Sequence, residues 1–342
     1  MQRRSRKLIL RLIGIGIVLC LLPWQASASS ISRLYVFGDS LSDTGNVYQA
    51  SLLAAGTGLP ASPYFQGRFC NGYLWVDYLT KQLGIELAPV AQLASAQSQS
   101  INFAYGGATT GSGNTVSLGL PGLQQELEQY TQLLLHKIAD AKALYAIWIG
   151  ANDYLPDAEK ATSATIRRDS QPVANITQAI RDLYALGARQ FLVMNLPALG
   201  ENPLAKSLGS DTVNLLNQLT QAHNQALDQQ LARLRQSLPE MRLIKLDVAQ
   251  LFAEAISGRL SFKDVRTPCF NRSSGKVCSN PEQHLFWDAL HPTTTAHRYV
   301  ADLAVQQIQV QLSHPVRFLG QLPAMLLGLI VAGAGAIWYQ QR

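Results

Sequence analysis

Short apolar runs of β-type residues alternate along most of this chain with helix-length amphipathic segments, and that alternation limits the fold more than any other feature. The strand candidates are 33–37, 101–104, 144–149, 190–195 and 242–246, rich in Val, Ile, Leu or aromatics, and several end at Gly, Asp or Asn. Helix candidates lie at 74–83, 123–141, 173–186, 213–238, 248–256 and 295–310. Pro172 just before the third of these and Gly187 just after it are start and stop signals. Strands that alternate with helices pair most simply as a parallel sheet, with each crossover helix packed on a face, so an α/β fold with helices on both faces is expected. In such a sheet the functional groups collect on loops leaving the carboxyl ends of the strands.

The two ends read differently from this domain. Residues 1–28 have the layout of a secretory signal: a basic start, an apolar run at 12–24, and Ala26-Ser27-Ala28, with small residues at −3 and −1 for cleavage after Ala28. Residues 318–341 carry no charge and are bracketed by Arg317 and Arg342, long enough for a transmembrane helix that would tether an exported domain to the cell envelope. The domain itself is expected over 29–313. Arg3, Arg4, Arg6, Lys7 and Arg11 supply five of the six net positive charges, so removing the leader takes the net charge from +6 to about +1. No basic face remains, and no nucleic-acid partner is expected.

Cys70, Cys269 and Cys278 survive such processing. The last two lie nine apart in a polar loop, and in an oxidising compartment a disulfide between them is the natural reading, with Cys70 unpaired and buried. No paired Cys-x-x-Cys or clustered His accompanies them, so no metal is expected. Asn175-Ile176-Thr177 and Asn271-Arg272-Ser273 are glycosylation sequons of a kind that also arises by chance.

Four segments carry candidate chemistry. The first strand runs into Gly38-Asp39-Ser40, which puts a hydroxyl at the sheet's carboxyl edge; an ordinary turn, with Asp39 and Ser40 capping the next helix, is the competing reading. Around Ser40 there is no G-x-S-x-G elbow, so the α/β-hydrolase form of the triad is not on offer. Near the other end, Asp288 and His291 stand three apart. They can share one side of a helical turn, which lets the carboxylate fix the imidazole tautomer. Gly106-Gly107 ends the second strand, where a bare N–H can approach a ligand, and Asn152 ends the third, presenting a carboxamide. Each of these two segments alone is explained as well by a glycine or Asx turn.

In this order, FGDSLSDTGN (37–46), NFAYGGATT (102–110), IWIGANDY (147–154) and FWDALHPT (286–293) resemble the four blocks of the GDSL branch of the SGNH hydrolase family, with similarity over about 33–305. The resemblance implies a flavodoxin-like three-layer sandwich with a five-stranded parallel sheet. It also implies roles: Ser40 as nucleophile, His291 as general base and then acid, and Asp288 as the residue that orients His291. The backbone N–H groups of Ser40 and Gly107 and the side-chain amide of Asn152 would form the oxyanion hole, with Gly106 replacing Gly107 if the pair is offset by one. Cys70 stands where the family commonly has a small polar residue, and a thiol there could react with thiol reagents.

Chemistry of this kind needs no cofactor. The expected function is cleavage of short- to medium-chain acyl or lipid esters. Three alternatives stay open at this point: transfer of the acyl group to an alcohol, removal of O-acetyl groups from carbohydrate, and a non-catalytic surface-binding domain. The loops at 48–59 and 115–123 mix apolar and small residues, which favours a lipid or simple acyl substrate.

Overall fold

The computed structural model describes residues 31–92, 100–134, 138–155 and 171–313. The expected signal (1–28), the first residues of the expected domain and the apolar run at 318–341 lie outside the described residues. Among the described residues, no helix is long and apolar enough to cross a membrane.

The expected parallel sheet is present, with six strands rather than five. In chain order they are β1 (Leu34–Gly38), β2 (Leu87–Pro89), β3 (Ser100–Asn102), β4 (Leu144–Trp148), β5 (Gln190–Met194) and β6 (Arg242–Leu246). Their spatial order is β2-β3-β1-β4-β5-β6, all parallel. The unexpected strand, β2, is a three-residue edge strand that ends in Pro89, and proline within a short run argues against a strand except at an edge. Without β2 the order is that of flavodoxin-like sheets. The chain leaves β1 toward β3 on one side, then crosses back to β4 on the other, which makes the β1/β4 boundary a topological switch point.

Strands β1, β4 and β5 are buried along their whole length, so consecutive side chains feed two different cores. Leu34, Val36, Ala146, Trp148, Leu192 and Met194 point to one core, shared with helices α2 (Trp75–Leu83), α7 (Val248–Ile256) and α8 (Thr294–Ser313). Tyr35, Phe37, Tyr145, Ile147, Phe191 and Val193 point to the other, shared with α3 (Leu123–Leu134), α4 (Pro172–Leu186) and α6 (Ser210–Ser237). Fully burying one such side chain contributes roughly 1.5–3 kcal/mol, so each five-residue strand pins itself from both sides. The remaining helices, α1 (Asn46–Ala55) and the short α5 (Pro203–Ser207), lie in connections that lack clear periodicity in the sequence. Helix α4 begins with Pro172 in its first turn and ends at Gly187 in the left-handed region, as its flanking residues predict. Helix α3 stops well short of the expected residue 141: the described residues 138–140 are not helical.

Cys269 and Cys278 are disulfide-bonded across a two-stranded hairpin, Phe270–Asn271 with Lys276–Val277. The N–H groups of Cys269 and Phe270 donate to the carbonyls of Phe286 (3.0 Å) and Trp287 (2.6 Å), so the hairpin braces the segment that leads to Asp288. Cys70 is a free, fully buried thiol, as expected. Burial pushes its pKa up to about 12. The expected reactivity with thiol reagents therefore does not follow, since the thiolate is the reacting form. Asn175 lies in the first turn of α4 with its amide donating to Thr110 and with Ile176 and Thr177 buried, whereas Asn271 is exposed on the hairpin.

Candidate active site

Ser40 and Asn152 follow β1 and β4, the two strands that meet at the switch point, and both sit at the carboxyl edge of the sheet. The strands approach closely there. A Cβ on Gly38 would lie 2.5 Å from the Trp148 carbonyl oxygen, so only glycine fits ahead of Asp39 and Ser40. Ser40 does not cap a helix. The carboxylate that caps α1 is Asp43, which accepts the N–H groups of Gly45, Asn46 and Val47 at 2.6–3.1 Å.

The Ser40 hydroxyl lies 2.9 Å from His291 Nε2. On the far side of the ring, Nδ1 is 2.8 and 3.0 Å from the two carboxylate oxygens of Asp288. Asp288 and His291 are not on a helical turn; they form an Asx-type bend ahead of α8. Asp288 Oδ1 accepts the N–H groups of Leu290 (2.8 Å) and His291 (2.7 Å), which orients the carboxylate without a helix. Burial works to raise the pKa of Asp288. The charge and hydrogen bond of His291 and the hydrogen bond from Tyr64 outweigh it and bring the pKa down to about 2. Asp288 is thus an anion and a pure acceptor, so Nδ1 of His291 carries the proton and the lone pair of Nε2 faces the Ser40 hydroxyl.

The two N–H groups of the glycine pair differ. The Gly106 N–H is committed to Asp43 at 2.8 Å, whereas among the described residues the N–H groups of Gly107 and Ser40 have no acceptor. Gly107 has a φ of 80°, a backbone conformation that favours glycine. The Asn152 amide donates one of its hydrogens to the Ala108 carbonyl (3.0 Å), and the other has no acceptor among the described residues. Asp153 beside it accepts both the N–H (2.9 Å) and the hydroxyl (2.7 Å) of Thr110, which ties the Asn152 turn to the glycine loop.

Three contributors were not visible in the sequence. Tyr64 donates its hydroxyl to Asp288 Oδ2 at 2.6 Å. Phe69 lies against Gly106, with its ring 5.3 Å from that of His291. Glu126, fully buried on α3, accepts the N–H of Gly38 (2.9 Å) and shares that of Tyr105 (3.2 Å) with the Gly38 carbonyl, where β1 and β3 run out into their loops. All three sit in loops or on a helix far from the four motif blocks, and their roles depend on pairings 88 or more residues apart for the Gly38 and Asp288 contacts. Removing the Tyr64 hydroxyl strips the anion of the one side-chain donor it has besides His291 among the described residues. Tyr64→Phe is expected to lower kcat about 10-fold with KM little changed, on the scale of one hydrogen bond to a charged group. An unchanged kcat would mean that the backbone donors alone orient Asp288.

Asp39, beside the nucleophile, is a second buried carboxyl. Its Oδ1 accepts the Leu41 N–H at 3.0 Å, and its Oδ2 has no partner among the described residues. Burial pushes its pKa up to about 7, against the pull of the Leu41 N–H and the His291 charge. The proton is therefore held more tightly in the folded state than at the ordinary carboxyl value of 3.8. That contribution to stability is complete below 3.8 and is lost as pH rises to about 7. Asp39→Asn keeps the acceptor for Leu41 and never ionises. It should match the wild type at pH 4 and be more stable at pH 8, by at most on the order of 4 kcal/mol. Urea denaturation at the two pH values measures this, and an equal difference at both would count against it.

The site opens on a small cavity of about 60 Å³, whose apolar wall includes Trp148, Leu155, Leu199, Phe252 and Phe286, with Asn152 and Glu201 among its polar groups. A much larger groove of about 1190 Å³ runs between α3 and α4. It is lined by neither Ser40 nor any histidine, so the chemistry belongs to the smaller cavity. Among the described residues no group of three or more His, Cys, Asp or Glu is placed to hold a metal ion.

A family model described as GDSL-like lipase/acylhydrolase matches residues 34–304. Among curated proteins, the phosphatidylcholine-sterol acyltransferase of Aeromonas hydrophila is 28% identical over 87% of this chain and 96% of its own length. The GDSL esterase/lipase At1g71691 of Arabidopsis thaliana is 28% identical over 80% and 81%. A solved structure of TesA aligns over 81% of this chain and 98% of its own, at 15% identity and a TM-score of 0.37. The family match spans the sheet from β1 and reaches into α8, which carries Ser40, Gly107, Asn152, Asp288 and His291 with it, and the chain belongs to the GDSL-like lipase/acylhydrolase family of ester-bond hydrolases.

Proposed function

We propose that the protein is an exported serine hydrolase that cleaves short- to medium-chain acyl or lipid esters through an acyl-enzyme. The observation that carries this reading is the unbroken hydrogen-bonded line from Ser40 through His291 to Asp288. As Ser40 Oγ attacks the ester carbonyl carbon, its proton passes to His291 Nε2, and Asp288 stabilises the imidazolium that forms. The negative charge on the former carbonyl oxygen meets the N–H groups of Ser40 and Gly107 and the free amide hydrogen of Asn152, donors worth roughly 2.7–4 kcal/mol each in comparable sites. Collapse of this intermediate breaks the ester C–O bond, and His291 protonates the departing alkoxide. Water then attacks the acyl-serine with His291 as its base. The acid leaves and Ser40 regains its proton.

The disulfide and the leader at 1–28 support export, and the apolar run at 318–341 supports retention at the envelope. Acyl transfer to an alcohol is the second reading. It is favoured by the name of the Aeromonas relative. The test is to treat the full-length protein with a fluorophosphonate and map the adduct, beside hydrolysis of p-nitrophenyl esters from acetate to palmitate. Labelling at Ser40 with parallel loss of hydrolysis is expected. Labelling elsewhere would move the chemistry away from Ser40, and product formed mainly on an added alcohol would favour the transferase.

A further inference from the structure

The segments flanking the site are almost without charge. From 44 to 76 there is one charged residue, Arg68, and from 87 to 125 there is none, in a chain that is 15% charged. Arg68 is held inward, its guanidinium bonded twice to Asp77 at 2.7 and 2.8 Å and lying over the rings of Phe65 and Tyr73. These same segments carry most of the large apolar side chains that stand exposed among the described residues. They include Leu52, Leu53 and Leu59 on and after α1, and Val116 and Leu118 on the loop after the glycine pair, with Leu53 84% exposed and Leu118 fully so.

Both segments are fastened to the reacting groups. Tyr48 of α1 packs under the backbone of Gly58 and Gly67, and the loop between them sends Tyr64 to Asp288. On the other side Val116 and Asn114 back Gly107, and the Thr115 N–H donates to the Gly107 carbonyl at 2.8 Å.

We propose that these two segments form a docking face that seats the protein on an uncharged or zwitterionic lipid surface, with Leu53 and Leu118 entering the acyl boundary. This deepens the reading of Ser40 as an esterase nucleophile by naming the form in which its substrate is presented. A specific protein partner would ordinarily meet a polar rim with charges that fix orientation, and these segments offer almost none. A basic patch would call for anionic lipid, and no free cation stands in either segment. A neutral interface asks only for exposed apolar side chains free of charges that would have to be desolvated, which is what the two segments present. Binding of this kind is insensitive to ionic strength.

The experiment uses the full chain and phosphatidylcholine vesicles. Hydrogen exchange is followed with and without vesicles, and rates are compared for the wild type and the Leu53→Asp, Leu118→Asp double variant. Vesicles should protect the amides of 48–59 and 115–120 but not those around Ile138 and Val310, which also expose apolar side chains, and salt should not reverse the protection. The variant should hydrolyse monomeric p-nitrophenyl butyrate within twofold of the wild type and lose at least 10-fold on the vesicles. Equal protection at all four segments, loss of protection with salt, or equal losses on monomer and vesicle would overturn the docking face. Hydrolysis of no ester by the wild type would instead defeat the esterase reading, and the exchange data would still decide the docking.

Discussion

Ser40→Ala is expected to lower kcat for ester hydrolysis by about 10⁶-fold, the scale of losing the nucleophile from a comparable triad. The rate should fall without loss of the fold. Ser40 Oγ bonds only to His291 among the described residues, and its removal leaves Gly38, Glu126 and the Asp43 bonds that shape the turn untouched. Thermal stability should therefore stay within about 1 kcal/mol of the wild type. Some acceleration over water should persist, because the N–H groups of residue 40 and Gly107 and the Asn152 amide still face the carbonyl oxygen. The measurement is initial rates on a reactive p-nitrophenyl ester at enzyme concentrations high enough to see a residual rate, alongside a melting curve. A loss below 100-fold with a wild-type melting curve would mean that another group attacks the ester. A large loss with a lowered melting point would leave the role of Ser40 to the labelling experiment.

What the sequence made legible was local, and what it hid was long-range. The four five-residue strands declare themselves by runs such as Leu34–Gly38 and Gln190–Met194, because burial on both faces forces a continuous apolar stretch, and β3 does so because its short run continues into the buried Phe103 and Ala104. Strand β2, no shorter than β3, hid because Leu87–Pro89 lies at an edge, is only partly buried and ends in proline. The motif residues Ser40, Gly107, Asn152, Asp288 and His291 could be named because their segments resemble the four family blocks in order, although a turn explains the segments of Ser40, Gly107 and Asn152 as well when each is taken alone. Even so, the Asp288–His291 spacing suggested a helical turn, and an Asx bend gives the same closeness. Tyr64 and Glu126 could not be named. Tyr64 meets Asp288 only because the disulfide hairpin and the aromatic stack of Phe270 and Trp287 bring the 58–68 loop across. Glu126 reads as an ordinary polar position on an amphipathic helix until the carboxyl ends of β1 and β3 present two N–H groups to it.

Asp288→Asn is the more searching substitution, because it changes no volume and is still expected to cost about 10⁴ in kcat. In the wild type, Oδ1 is fixed as an acceptor by the N–H groups of Leu290 and His291, while Oδ2 accepts from Tyr64 and from His291 Nδ1. An asparagine must keep its oxygen at the first position, where two backbone donors hold it. Its NH₂ then occupies the second position, facing the Tyr64 hydroxyl and the imidazole Nδ1. Tyr64 can rotate to accept. His291 can accept only by moving its proton to Nε2, and that N–H then points at the Ser40 hydroxyl, which it cannot deprotonate. The defect is thus a wrong tautomer rather than a lost fold, and it predicts non-additivity. Tyr64→Phe should cost about 10-fold in the wild type but almost nothing in the Asp288→Asn background, since the interaction it removes serves an anion that is no longer there. Because Asp288 has its pKa brought down to about 2, the wild type keeps the anion throughout the range above about pH 3. Acid loss of activity above that pH must come from a different group, and the Asp288→Asn defect should not be reproduced by lowering the wild type to pH 4. Rates for the two single variants and the double variant, each measured from pH 4 to 9, decide it. Additive losses would mean that Tyr64 acts on something other than the Asp288 carboxylate, and a loss near 10-fold for Asp288→Asn would mean that the bend, not the charge, sets the tautomer of His291.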